Sequence, residues 1–223
     1  MTSHLPDDVR RQIAAVGVAP DRPLIIADAD EVLVVFMAAF EAFMEQQGLY
    51  FDWADYRLTG NIRRQSDRQP VDQEAVSALL AAFYDARAGA LEPVPGAAEA
   101  LAGLSRRARV VVLSNLPAAY GEVRRRSLAG HGMAYPVVVN RGPKGPAVGA
   151  FTDALDAPAF FIDDAPSHHA SVADHAAGVH RLHFVHDRRL AALIGPARAS
   201  HHRTDNWTDA RAVIEARLDE SGF

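Results

Sequence analysis

Five short apolar runs limit what this chain can fold into more than any other feature of its sequence. They are "PLIIAD" at 23–28, "RVVVLS" at 109–114, "PVVVN" at 136–140, "AFFID" at 159–163 and "VHRLHFV" at 179–185, all rich in β-branched or aromatic residues. Apolar runs of this length and make-up read as parallel strands buried on both faces. Helical patterns lie between them. Val76, Leu79, Leu80 and Phe83 form one stripe, Ala97, Leu101 and Leu104 another, and "DAPSHHASVADHAAG" starts with Pro166 and stops at Gly178. The alternation predicts an α/β fold, a Rossmann-like parallel sheet flanked by helices with right-handed crossovers.

One interval breaks the alternation. About 80 residues separate Asp28 from Arg109, where a βαβ unit needs only ~30 residues in all. Residues 37–91 are therefore expected to form a small, mostly helical cap: a helix in "FMAAFEAFMEQQG", an aromatic and polar middle, and a second helix. Residues 1–36 and 92–223 supply the core, with "LEPVPG" as the return linker and "TDARAVIEARL" after Trp207 as a capped helix docked on it. The length of 223 residues suits this one domain with an insertion.

Composition removes several function classes. Net charge is −5, and the basic clusters Arg106–Arg107 and Arg124–Arg126 read as solvated helix faces, which disfavours nucleic acid as a partner. With no cysteine there is no thiolate nucleophile and no Cys-ligated metal. The stretch "MTSHLPDDVRRQ" lacks an apolar leader and no run reaches membrane-spanning length, so no membrane partner and a cytoplasmic location are expected. Histidines cluster late in the chain, His168 and His169 among them, but no HExxH or comparable spacing supports a zinc hydrolase. Of the 23 basic residues, 22 are arginine and one is lysine, Lys144, in the loop "NRGPKGPAVG".

Ligands of open parallel sheets bind at the carboxyl ends of the strands. Those ends carry Asp28 and Asp30, then Ser114 and Asn115, then Lys144, then Asp163 and Asp164. Taken singly, each is an ordinary cap or turn residue. Together, four acids at one edge demand a hard divalent cation such as Mg2+, and a metal beside a lysine and a hydroxyl describes a phosphoryl-transfer site.

In this order the residues resemble the four motifs of the haloacid dehalogenase-like (HAD) hydrolase superfamily: "IIADADEV", "VVVLSN", "GPKGPAV" and "FFIDD". Intervals of 86, 30 and 19 residues from Asp28 to Ser114, Lys144 and Asp163 suit that superfamily with an insert after its first motif. The resemblance implies a nucleophile in Asp28 and a general acid/base in Asp30. It implies Mg2+ held by Asp28, Asp30 and Asp163, with Asp164 directly or through water, and phosphate held by Ser114, Asn115 and Lys144. An acid at position 30 implies a phosphatase acting on a small-molecule phosphate ester and not a dehalogenase. A phosphomutase, a phosphotransferase and a non-catalytic phospho-ligand module stay open, as does oligomeric state. Glu31 departs from the superfamily's usual glycine. In the insert, Arg57, Asn61 and Arg63, with Trp53, Tyr56 and Arg64 around them, are expected to read the leaving group, an arginine meeting a second anionic group.

Overall fold

The computed structural model describes residues 5–223. Residues 1–4, counted with the core and with the leader-free N-terminus on sequence grounds, lie outside the described residues.

In chain order the elements are α1 (Asp7–Val16), β1 (Leu24–Ala27), α2 (Met37–Glu45), β2 (Leu49–Phe51), β3 (Ile62–Arg64), α3 (Gln73–Arg87), α4 (Ala97–Leu104), β4 (Arg109–Ser114), α5 (Gly121–Gly130), β5 (Val137–Val139), α6 (Gly145–Thr152), β6 (Ala159–Asp163), α7 (Pro166–His175), β7 (His180–Phe184), α8 (Arg188–Leu193), β8 (His202–Thr204) and α9 (Trp207–Glu220). Six strands form one sheet in the order β5-β4-β1-β6-β7-β8, each pairing parallel to its neighbours. Each of the five apolar runs is a strand of this sheet. β8 extends it with a short polar strand, "HRT", whose three residues give no apolar signal.

The sheet separates two apolar layers because successive strand residues face opposite sides. Ile25, Ala27, Val110, Val112, Phe160 and Ile162 join α4, α5, α8, α9 and the insert in one layer. Leu24, Ile26, Val111, Leu113 and Phe161 meet α1, α6 and α7 in the other. The exposed edge of β5 is closed by α1: Gln12 donates to the Val139 carbonyl at 3.2 Å and accepts from its N–H at 2.9 Å. Covering an edge in this way removes a site of unwanted strand pairing.

The insert holds two helices, as its patterns predict, and an antiparallel ribbon pairing Leu49–Phe51 with Ile62–Arg64. Three-residue strands set about ten residues apart carry no readable periodicity. α3 starts at Asp72, whose carboxylate accepts from the Ala75 N–H. Phe36, Phe40 and Phe43 each pack edge-on against Phe83 and fix α2 against α3. At the far end of the chain, Asn206 caps α9 and buries Trp207 behind it.

Candidate active site

Strand order reverses at β1, which has β4 on one side and β6 on the other, so the carboxyl ends of these strands converge at the switch point. Asp28 directly follows β1 and Asp163 ends β6. Ser114 ends β4, two residues past the Ala27–Val112 pair and therefore level with Ala29. It is buried, and its hydroxyl accepts from the Leu116 N–H at 3.4 Å. Asn115 ties the loops after β4 and β5 together, donating to the Gly142 carbonyl at 2.8 Å and accepting from Asn140 at 2.9 Å.

Lys144, the solitary lysine, has no exposed surface, and its ammonium lies 2.7 Å from both Asp28 and Asp163. It sits at the N-terminus of α6, which can come this close because its first residue is a glycine. A side chain at Gly145 would collide with the backbone of Ser171 in α7. Against the cost of burial, Asp163 and Asp28 hold the ammonium charged above its ordinary range.

One ammonium does not satisfy the carboxylates around it. Carboxylate oxygens of Asp28, Asp163 and Asp164 come within 4.8 Å of one another. Burial, opposed by Lys144 and reinforced by Asp163 and Asp30, pushes Asp28 up to about 7. Burial and then the charges of Asp163 and Asp28 raise Asp164 well above the carboxylate range. Asp163 is held low: burial pushes it up, but Lys144, His168 and His169 together outweigh that. Three hard oxygen donors with excess negative charge fit a divalent cation, which would let Asp28 and Asp164 ionise.

Two histidines from the late cluster support this corner structurally. His169 donates to the Asp163 carbonyl at 2.9 Å through Nε2. His183 donates to the Asp164 carbonyl at 2.8 Å through Nε2 and accepts from the Ala197 N–H at 3.1 Å through Nδ1. That pattern requires a neutral ring, and burial lowers His183 to about 4. His168 is half-buried beside them, with Nδ1 unpartnered.

Asp30 has two partners that the sequence does not announce. Tyr84 of α3 donates to it at 2.9 Å, and Arg124 of α5 makes an ion pair with it at 2.8 Å. Arg124 is fully buried, so it corrects the reading of 124–126 as a solvated face. Only its neighbours fit that reading, Arg125 and Arg126 being exposed beside Glu122. The available signal is spacing: Arg124 stands four residues before Leu128, on the buried stripe of α5.

Glu31 adopts a left-handed backbone, φ 62°, which explains why glycine suits the position. Its carboxylate compensates by accepting from the Phe36 N–H at 2.9 Å and the Met37 N–H at 2.5 Å, capping α2 from outside the helix. The same turn is held from behind by Trp207, whose indole N–H donates to the Val32 carbonyl at 2.8 Å.

Arg57, Asn61 and Arg63 are not among the residues that line the cavity beside Asp28 and Asp30. Arg57 is paired with Asp55 at 2.5 Å and Arg63 with Asp52 at 2.8 Å. Asn61 is buried and donates to the Arg57 carbonyl and to Asp55. The cavity, of about 310 Å3, receives Tyr56 and Leu58 from the same loop instead. An Arg–Asp spacing of two, three or eleven residues lets Arg57, Arg64 and Arg63 pair locally with Asp55, Asp67 and Asp52, which the pattern of arginines alone does not reveal.

No protein-family profile matches the chain, and no curated protein sequence matches it. Solved structures do. The chain is similar to a haloacid dehalogenase-like protein of unknown function from Agrobacterium tumefaciens, at 15% identity, TM-score 0.61, over 87% of this chain and 98% of that one. This is the haloacid dehalogenase-like fold. A HAD family hydrolase from Deinococcus radiodurans, solved with bound phosphate and sodium, matches at 18% identity and TM-score 0.60 over 90% of this chain and 98% of its own. CbbY from Rhodobacter sphaeroides, solved with xylulose-(1,5)-bisphosphate, matches at 16% identity and TM-score 0.56 over 83% and 95%. Among the described residues, no helix is long and apolar enough to cross a membrane.

Proposed function

We propose that this HAD-like chain is a divalent-cation-dependent phosphatase that hydrolyses a small-molecule phosphate monoester through Asp28. The observation that carries the reading is the buried Lys144, 2.7 Å from both Asp28 and Asp163, at the point where Asp164 joins them. Lysine suits the position because a compact ammonium with three donors can serve two carboxylates and a phosphoryl oxygen together. The bound phosphate and phosphosugar of the two similar structures favour the same class of substrate.

In this reading a carboxylate oxygen of Asp28 attacks phosphorus, the ester P–O bond breaks, and Asp30 gives its proton to the departing alcohol oxygen. Asp30 then takes a proton from water, the water oxygen attacks phosphorus, and the P–O bond to Asp28 breaks, releasing inorganic phosphate and restoring both acids. Lys144, Ser114 and Asn115 hold the phosphoryl oxygens, the first neutralising charge that grows in the transition state. Tyr84 and Arg124 aim the Asp30 carboxyl. A divalent cation, Mg2+ by its preference for hard oxygen donors, would be held by Asp28, Asp163, Asp164 and the Asp30 carbonyl, and would neutralise the phosphoryl group. Residues 37–91 act as the cap that keeps water from the leaving-group side.

The test is phosphate release from a panel of monoesters with and without Mg2+, with Asp28→Asn as control. Release should require both the metal and Asp28. No release from any ester, or release that survives Asp28→Asn, overturns the reading.

A further inference from the structure

We propose, resting on the phosphatase reading, that the alcohol released by this site is apolar and uncharged, an aryl or branched-aliphatic alcohol, and not a sugar, nucleotide or second phosphate. The cavity beside Asp28 and Asp30 has as its apolar walls Phe36, Met37, Leu58, Leu80, Leu190 and Ile194, from α2 and the residue before it, the ribbon loop, α3, and α8 and the residue after it. Its volume of about 310 Å3 compares with the roughly 150 Å3 of an apolar cavity that holds benzene. Phosphate and one or two rings would occupy it.

Charge points the same way. Six cations of the site, α8 and the insert already face anions. Lys144 is bracketed by Asp28 and Asp163, Arg124 by Asp30. Arg189 lies between Glu41 and Asp187 at 2.7 and 2.8 Å and stacks over Trp53. The insert's arginines 57, 63 and 64 are paired with Asp55, Asp52 and Asp67. The acids Asp30, Glu31 and Asp164 also line the cavity, so a second phosphate or carboxylate would meet like charge and no partner. Sugar hydroxyls fare little better. Tyr84 is committed to Asp30, which leaves Tyr56 as the polar side chain on the insert's wall. Hydroxyls pressed against leucine and isoleucine lose their water without replacement.

Leaving-group chemistry must be held constant to test this. Cyclohexylmethyl phosphate and glucose 6-phosphate are both primary alkyl esters on a six-membered ring and differ in hydroxylation. With Mg2+ and the wild-type chain, kcat/KM should favour the cyclohexylmethyl ester by roughly 30- to 100-fold, mostly through KM. Leu80→Lys, a half-buried position on α3, should cut that advantage at least tenfold and raise turnover of fructose 1,6-bisphosphate. Equal rates, or preference for glucose 6-phosphate or the bisphosphate in the wild type, overturn the apolar assignment and leave the phosphatase reading standing. No release from either ester or from phenyl phosphate removes both. Binding of cyclohexylmethylphosphonate to Asp28→Asn by calorimetry, tighter than glucose 6-phosphate, supports the assignment without turnover, and weaker binding refutes it.

Discussion

Replacing Gly145 with alanine adds one methyl group where a side chain would be more crowded than at any other glycine among the described residues. The new Cβ would lie 2.1 Å from the Ser171 carbonyl oxygen and 2.5 Å from its hydroxyl oxygen. Ordinary contact needs about 3.5 Å, and the nearer atom is backbone, which has no rotamer to escape into. α6 and α7 must therefore part by about 1 Å. Overpacking of this kind costs about 1–3 kcal/mol, and an unyielding neighbour places Gly145→Ala at the upper end. For a chain of this size that lowers Tm by roughly 6–12 °C. The same movement separates Lys144, at the head of α6, from Asp163, at the entry to α7, now 2.7 Å apart. A misplacement of about 1 Å at a catalytic group costs on the order of 100-fold in turnover. Two further glycines calibrate the result. Gly149→Ala, one turn on, meets the His175 carbonyl oxygen at 3.2 Å and should lose about a third as much stability, an order-of-magnitude scaling for a neighbour that need give only slightly. Gly130→Ala meets nothing within 4 Å and should be neutral or gain about 0.5–1 kcal/mol. Thermal melts followed by circular dichroism and phosphate-release rates read all three. If Gly145→Ala melts within about 2 °C of Gly130→Ala and keeps its turnover, the argument that helix contact places the lysine is wrong.

Lys144→Arg should lower kcat by about 100-fold, more than any other exchange between lysine and arginine in the chain, because a planar fork cannot occupy the point between Asp28 and Asp163; near-native turnover would refute this. Arg124→Met and Asp30→Asn should couple by about 1–3 kcal/mol in a double-mutant cycle followed by urea unfolding, and additive losses would mean that the ion pair is idle. His180 stacks on His201 at 4.7 Å, and burial followed by the charges of His201 and His202 lowers it to about 4, from 6.5 in the unfolded chain. The native state thus binds fewer protons between these values, so stability is full above pH 6.5 and falls as pH drops toward 4. Because the ring is only half-buried, the loss is about 1–2 kcal/mol. His180→Phe should flatten the urea midpoint between pH 7 and 4.5 to that extent, and an unchanged slope would assign the effect elsewhere.

The strands were legible because each is an unbroken apolar run, and the acids at their ends were legible because chain order alone brings strand ends to one edge. Arg124 was not, because its role depends on α5 turning one arginine of three inward, a choice made by Leu128 on the same stripe and by Asp30 nearly a hundred residues earlier. Glu31 raised the right question without its answer, since a positive φ and two accepted N–H groups appear only when the turn is built. The local pairing of the insert's arginines was not legible either. Sequence shows their charge but not that Asp52, Asp55 and Asp67 neutralise it at home. Apolar residues such as Leu58, Leu80 and Ile194 look like core wherever they occur, and only their shared wall reveals a cavity.

The indole of Trp207 reaches back 175 residues to the turn that carries Asp30. On a ribosome, that turn emerges well before α9, the helix that carries the group fastening it. Contacts so distant in sequence close late in folding. A growing chain would hold its whole set of acids before the turn that carries Asp30 is fastened, which waits until α9 docks.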